Sequence, residues 1–377
     1  MNIVIDVSPA VYRRAGIGRY AQELARALPT KAAEHHYIAF YNQPPGAVPS
    51  FDQGLGTWPR RIVPWGDKPW RLRVLLAHYL RRSQDALLRD VDVFHATDHL
   101  LPNLHRVASV FSLHDLTFLT TETHTTLNKL FLRLSMGRFL ERADAIIVPS
   151  AATKTDALRY FHLPVAKLHV VPYGVDQRFF QVSSDAIRTA RQRYRLPDTF
   201  ILSVGTIEPR KNLSRLLDAY LLLRAQGIAM PLVLVGRRGW RSQGFLKRLE
   251  AAQLGQAVQL LGYVDDADLP ALYSAATVFV YPSLYEGFGF PVLEAMAAGT
   301  PVVSSNAASL PEVVGQAGLL VSPYDTDGLS EAIRNVISQP DLRAALQEAG
   351  RRQAQRFTWS TTARATLKVY AAIAPNS

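Results

Sequence analysis

The stretch Tyr281-Pro282-Ser283-Leu284-Tyr285-Glu286-Gly287-Phe288-Gly289-Phe290-Pro291-Val292-Leu293-Glu294-Ala295 joins a strand-like run, Val278–Tyr281, to a helical one. Pro291 suits a first helical turn, where a missing N–H costs nothing. Gly287 and Gly289 allow a tight loop and close backbone approach. Free amides at such a helix start make an anion site, reinforced by the helix dipole. Two carboxylates flank it: Glu286 just before the loop, and Glu294, which the pattern places in the first turn. They are poorly suited to facing a phosphate and better suited to accepting hydrogen bonds from hydroxyls, such as those of a sugar and a ribose. A capping glutamate beside a pair of loop glycines accounts for the same residues.

Outward from this unit, short apolar runs alternate with longer amphipathic ones. In the first half the strand candidates are Asn2–Val7, Tyr37–Tyr41, Val93–Ala96, Ala108–Leu113, Ala145–Pro149 and Lys167–Val171. Helical patterns lie between them at Gly18–Leu28, Trp70–Leu88 and Leu127–Arg142. The rhythm restarts at Thr199–Val204, with a helix over Leu213–Gln226. Further strands are expected at Pro231–Gly236, Val258–Leu261, Val278–Tyr281, Pro301–Ser304 and Gly318–Val321. A βαβα series implies a parallel sheet covered by helices, and two series imply two α/β domains. A length of 377 residues fits two domains better than one. The expected spans are 1–180 and 198–357, with Pro172–Pro197 as the hinge. The final piece, 358–377, either closes the second domain or crosses back to the first.

Hydrophobic residues at 48% and charged residues at 19% supply two cores and exclude a disordered chain. The absence of cysteine excludes disulfides, thiolate metal sites and a cysteine nucleophile. The first residues run straight into a strand, without the regions of a signal peptide, and no apolar run reaches membrane-spanning length. A cytoplasmic protein is expected. The net charge of +11 divides into +7 for residues 1–180 and +4 for 181–377. It reads as a diffuse attraction to anions, without a nucleic-acid motif.

Other strand ends carry chemistry too. Ser203-Val204-Gly205-Thr206-Ile207-Glu208-Pro209-Arg210-Lys211-Asn212-Leu213 places Arg210 and Lys211 at the carboxyl end of a strand, where open α/β sheets bind ligands. Two cations at a helix start oppose the dipole, and a diphosphate would offset that repulsion. An exposed basic turn is the plainer reading. Ala15-Gly16-Ile17-Gly18-Arg19-Tyr20 loosely resembles a dinucleotide fingerprint but lacks its third glycine; Gly16 and Gly18 can still offer amides. His114, in Ser112-Leu113-His114-Asp115-Leu116, is either a polar contact in a cleft or a hydrogen-bonded core histidine. His95, Asp98 and His99 fall at a strand end, off any single helical face, so no metal site is expected. Asp90 and Asp92 stand at the wrong end of their strand, and Asp325 and Asp327 read as helix capping. The stretch Trp70–Arg82 is basic and amphipathic, either an ordinary domain helix or one that rests on an anionic membrane surface.

Taken together, these residues resemble the retaining glycosyltransferases of family 4, which have the GT-B fold. The resemblance rests on the Glu286-to-Glu294 spacing with Ala295-Met296-Ala297-Ala298-Gly299-Thr300-Pro301-Val302-Val303, on Ser203–Gly205 with Pro209–Asn212, on Leu261–Val264 and on Pro172–Asp176. It covers essentially the whole chain and is nearest to bacterial mannosyl- and rhamnosyltransferases of polysaccharide and lipopolysaccharide assembly. It implies two Rossmann-like domains facing each other across a cleft, the first binding the acceptor and the second the nucleotide sugar. By carry-over, Glu286 would contact the donor sugar, Glu294 the ribose, and Arg210 with Lys211 the diphosphate. Gly287, Phe288 and Gly289 would present amides, Val264 would hold the base, Gly16 would approach the phosphates, and His114 would contact the sugar. A metal-independent, retaining hexosyl transfer is implied, without a cofactor and with a GDP-sugar favoured over a UDP-sugar. The acceptor would be a glycan or a lipid-linked oligosaccharide, the place of work the cytoplasm or the inner face of the membrane, and nucleic acid no partner. Glu286→Ala is expected to abolish transfer and leave folding intact. Tyr173 stands where the family usually has Asn, Ala15 replaces a common Gly, and Thr206 stands where some members have Arg. A sugar-nucleotide epimerase would lack the glutamate signature, and a basic nucleic-acid-binding protein would cluster its charge on one element.

Overall fold

A computed structural model describes residues 1–12, 14–44, 57–120 and 126–374. The chain divides into two compact units: Met1–Leu116, Thr126–Gly174 and Thr358–Ser377 form one, Thr117–Thr125 and Val175–Phe357 the other.

The first unit holds strands β1 (Asn2–Asp6), β2 (His36–Asn42), β3 (Arg60–Val63), β4 (Val93–Ala96), β5 (Ala108–Ser112), β6 (Ala145–Val148) and β7 (Leu168–Val170). They pair in parallel in the order β3-β2-β1-β4-β5-β6-β7. The interior strands β4 and β6 are buried at every position, as a sheet with both faces covered requires. Helices along this part of the chain are α1 (Ser8–Val11), α2 (Ala15–Ala27), α3 (Asp67–Tyr79), α4 (Thr117–Thr120), α5 (Thr126–Arg142) and α6 (Ala151–Tyr160), of which α4 groups with the second unit.

The second unit carries α7 (Ser184–Tyr194), β8 (Ile201–Val204), α8 (Leu213–Ala225), β9 (Leu232–Val235), α9 (Gln243–Ala251), β10 (Val258–Gly262), α10 (Leu269–Ala275), β11 (Val278–Tyr281) and α11 (Phe290–Ala297). It continues with β12 (Val302–Ser305), α12 (Leu310–Val314), β13 (Leu319–Val321), α13 (Thr326–Ser338) and α14 (Pro340–Ala354). Its sheet is also parallel, in the order β10-β9-β8-β11-β12-β13.

Helix α15 (Trp359–Ile373) returns to the first unit. Its Tyr370 hydroxyl lies 2.6 Å from Nδ1 of His95, whose Nε2 is 2.8 Å from Ser112 Oγ. His95 is fully buried, and burial, reinforced by the neighbouring His114, lowers its pKa to about 3, so the ring is neutral.

The sequence expectation differs from this fold in three places. Strand β3 was not anticipated, because Arg60-Arg61-Ile62-Val63 is an edge strand without an apolar run. The helix expected over Trp70–Leu88 ends at Tyr79, followed by Arg81 in a left-handed conformation (φ 52°) and a short 3-10 turn at Asp85–Leu88. The expected hinge Pro172–Pro197 is mostly structure of the second unit, including α7, and the units divide at Gly174.

Candidate functional site

In the second unit the strand order reverses between β8 and β11, the switch point at which open α/β sheets part to admit ligands. Arg210 and Lys211 follow β8 in a single 3-10 turn, Pro209–Lys211. Asn212 then takes a left-handed conformation (φ 56°) and starts α8. Its Nδ2 donates to the carbonyls of Pro282 at 3.0 Å and Pro323 at 2.7 Å, tying the loops after β8, β11 and β13 together. The Leu284 amide donates to the Arg210 carbonyl at 2.8 Å. Residues far apart in the chain thus form one rigid surface.

Glu286 sits at its centre, 8% exposed. Its Oε1 accepts from Lys211 Nζ at 2.7 Å, the Tyr281 hydroxyl at 2.9 Å and the Ser283 hydroxyl at 2.6 Å. Its Oε2 faces Arg210 at 2.7 Å. Burial opposes ionisation of this carboxyl, but Arg210 and Lys211 together overcome it and lower its pKa to about 2. For Lys211 the balance goes the other way. Burial, then the neighbouring Arg210, lowers its pKa, and Glu286 only partly restores it. One carboxylate shared between two cations stays firmly ionised, while the Lys211 ammonium holds its proton less firmly than usual. Arg210 also pairs with Glu208 at 2.8 Å and donates to the Tyr285 carbonyl at 2.8 Å.

The separation expected from sequence, cations for diphosphate and Glu286 for hydroxyls, is therefore incomplete. Glu286 is also the counterion that holds both cations in place, so Glu286→Ala would leave them buried and under-compensated. Removing one partner of such a cluster costs ~3–5 kcal/mol. This variant is therefore expected to lose stability as well as transfer.

Glu294 is the fifth residue of α11 and lies beyond the first turn where the sequence placed it. It is buried and accepts from the Tyr273 hydroxyl at 3.0 Å. Gly289 precedes α11 with φ 122°, a conformation that favours glycine, and a Cβ there would push against Leu310 Cδ2 at 2.8 Å. The Ser309 hydroxyl lies 2.8 Å from the Glu286 carbonyl and 2.7 Å from the Phe288 carbonyl, holding the Gly287 loop from behind. The Phe288 ring packs against Phe290 and Phe357. Val264, after β10, is buried. Tyr281, Ser283, Tyr273 and Ser309 were not singled out from sequence. Tyr281 and Ser283 stood inside the quoted stretch, at the end of a buried strand where a polar tip has to find a partner.

In the first unit His114 is buried. Its Nε2 donates to the Thr97 carbonyl at 2.8 Å, because a carbonyl only accepts; Nδ1 then accepts from the Tyr173 hydroxyl at 2.6 Å. Burial lowers the pKa of His114 and keeps the ring neutral. Both ring nitrogens are engaged, so the expected contact with a donor sugar is not open to either of them in this arrangement. Gly18 serves packing: a Cβ there would meet the Pro9 carbonyl oxygen at 2.8 Å, which lets α2 approach α1. Gly16, in the first turn of α2, is exposed.

This sheet reverses order between β1 and β4, and a second charged group lies there. Asp6 ends β1, Asp98 follows β4, and Arg14 pairs with Asp98 and, at 2.8 Å, with Asp67. Burial, reinforced by Asp98, raises the Asp6 pKa to about 7. Among the described residues no three of His, Cys, Asp and Glu are grouped to hold a metal. Asp92 accepts from the Asn2 amide, and Asp325 caps α13 through the Gly328 amide at 2.8 Å.

Comparison with known proteins agrees with this geometry. Residues 187–353 match the family Glycosyl transferases group 1, and residues 14–179 match Glycosyltransferase Family 4. The O-antigen chain mannosyltransferase B of Escherichia coli is 33% identical, over 98% of this chain and 99% of its own length. The serotype-specific mannosyltransferase WbdA of Escherichia coli is 27% identical over 100% of this chain, which covers 49% of WbdA. A sucrose-phosphate synthase structure from Thermosynechococcus elongatus superimposes with a TM-score of 0.76 at 23% identity, covering 99% of both chains, and shares the fold. Two parallel-sheet α/β units, a cation–glutamate cluster at the switch point of the second, and a full-length relative together place this chain among the family 4 glycosyltransferases of GT-B fold.

Proposed function

We propose that the chain transfers mannose, or a rhamnose-type hexose, from a nucleoside diphosphate donor to a glycan or lipid-linked acceptor in polysaccharide or lipopolysaccharide assembly. A GDP-sugar is favoured, and the anomeric configuration is retained. The observation that carries this reading is the Arg210–Lys211–Glu286 cluster at the β8–β11 switch point; the mannosyltransferases among its relatives supply the sugar.

The cations are positioned before the donor arrives. As the sugar–phosphate bond breaks, Arg210 and Lys211 face the charge growing on the leaving diphosphate, the place a metal takes in other transferases. No metal or other cofactor is required on this reading. Oε1 of Glu286 already has three donors, so the remaining acceptor capacity is on Oε2, which takes a sugar hydroxyl. Glu294, held by Tyr273, takes the ribose hydroxyls. The Gly287–Gly289 amides and Val264 complete the donor site. The leaving phosphate accepts the acceptor's proton on the face from which it departs. The acceptor side belongs to the first unit, where Asp6, Arg14 and Asp98 mark the switch point. A lipid-linked acceptor would draw the protein to the inner face of the membrane.

The test is transfer or donor hydrolysis over GDP-mannose, UDP-glucose and a rhamnose nucleotide, with and without chelator. Turnover of GDP-mannose, unaffected by chelator and giving the retained anomer, is expected. Turnover of UDP-glucose alone, loss with chelator, or an inverted product overturns the corresponding part.

A further inference from the structure

The charge that looked evenly spread along the sequence is concentrated by the fold. Segments 67–82 and 126–142, far apart in the chain, contain nine Lys or Arg and two Asp or Glu. Their net +7 is most of the chain's +11. These segments are α3 with its C-terminal extension, and α5, and they lie side by side. Arg71 donates to Asn128 Oδ1 at 3.2 Å and covers the Phe131 ring. The Tyr79 hydroxyl is 3.4 Å from the Leu134 carbonyl, and the Arg138 guanidinium lies 4.0 Å over the Tyr79 ring.

Each helix buries one face, through Trp70 and Val74 on α3 and through Met136 and Phe139 on α5. The opposite face of a surface helix is normally polar. Here it carries leucines: Leu72, Leu76 and Leu80 on one segment, Leu127, Leu130 and Leu134 on the other, all between 46% and 81% exposed. Their spacings of three and four residues make one apolar stripe on each helix. Exposed arginines, among them Arg73, Arg81, Arg82 and Arg133, border the stripes.

We propose that this two-helix face docks on an anionic lipid bilayer. The leucines enter the boundary between headgroups and acyl chains, and the arginines meet lipid phosphates. Charge complementarity selects this occupant. A second copy would bring exposed arginines against exposed arginines across the same face. Single-stranded nucleic acid stacks on aromatic rings in a groove, whereas the exposed apolar groups here are mostly leucines and the Tyr79 ring is already covered by Arg138. Among the described residues no helix is long and apolar enough to cross a membrane, so the contact is interfacial. The inference is independent of which sugar is transferred.

The test is sedimentation of the full chain with vesicles of phosphatidylethanolamine and phosphatidylglycerol, against vesicles of phosphatidylcholine. Binding to the anionic vesicles is expected. The triple variant Arg81→Glu, Arg82→Glu, Arg133→Glu should lower that partition at least ~10-fold. Lys247→Glu, Arg334→Glu, Arg352→Glu makes the same charge change on the second unit and should leave it within about twofold if the site is local. Leu127→Ser, Leu130→Ser, Leu134→Ser keeps the charge; it should bind at low salt and lose binding at physiological salt. Melting curves confirm that each variant is folded. Absence of binding by the parent at low salt, or equal losses from the two charge variants, overturns the proposal. So does a dimer that the leucine substitutions dissociate, which would assign the face to a second copy.

Discussion

The Tyr173 hydroxyl donates to Nδ1 of His114 across 2.6 Å, between residues 59 apart in sequence, and fixes the tautomer of a ring whose other nitrogen donates to Thr97. Tyr173 also stacks on Trp359 at 6.4 Å and packs against Tyr20 at 4.5 Å. Tyr173→Phe keeps that packing and removes only the donor, leaving Nδ1 buried and unpaired. A loss of ~1–3 kcal/mol in urea unfolding is expected. An unchanged midpoint would show that the hydrogen bond contributes nothing net.

The two halves of the cation–carboxylate cluster are unequal. Lys211→Met leaves Glu286 compensated by Arg210 and relieves repulsion between the cations, so its stability cost should be below ~2 kcal/mol. Glu286→Ala leaves Arg210 and Lys211 together without their shared counterion and should cost ~3–5 kcal/mol. Chemical denaturation of both variants in one buffer ranks them; a Lys211 variant less stable than the Glu286 variant would reverse the assignment of Glu286 as the keystone.

Asp6 makes stability depend on pH in an unusual direction. The folded chain keeps this proton up to about pH 7, whereas the unfolded chain releases it near the ordinary value of 3.8. Between those values the folded form binds more protons, so this group's contribution to stability falls as pH rises through the window. The whole effect is at most ~4 kcal/mol. Asp6→Asn cannot ionise, so its change in urea midpoint between about pH 5 and about pH 8 should be shifted toward stability at the higher pH relative to the parent. Parallel profiles would mean that Asp6 ionises normally in the folded chain.

Gly174 is the last residue before the chain passes from the first unit to the second, and it has no room for a side chain. A Cβ would lie 2.2 Å from the Trp359 amide nitrogen and 2.6 Å from the Thr358 carbonyl carbon, both backbone atoms that cannot turn aside. Gly174→Ala should destabilise by ~3 kcal/mol or more. Gly350→Ala, inside α14, meets only ordinary contacts at 3.5 Å and should gain up to ~1 kcal/mol from helix propensity. Thermal melts of the two variants should move in opposite directions.

The strands that form the centres of both sheets were readable because burial on both faces makes them continuous apolar runs, as in Val278–Tyr281 and Ala145–Val148. Strand β3 was not, since its place comes from pairing with β2 and two of its four residues are arginines. Arg210, Lys211 and Glu286 could be found at strand ends, but their mutual distances could not, because they depend on the crossover that places β8 beside β11. The Tyr173 substitution was visible as a departure from the family pattern; its partner His114 became apparent only when the fold brought them together. The same holds for the basic face, since α3 and α5 each carry only part of its charge.

The most direct test of the donor-site assignment is the donor kcat/KM of Lys211→Met against the parent, measured on protein shown to be folded, with the best nucleotide sugar. The cluster at the β8–β11 switch point predicts a loss of at least ~100-fold. Turnover close to that of the parent would contradict it.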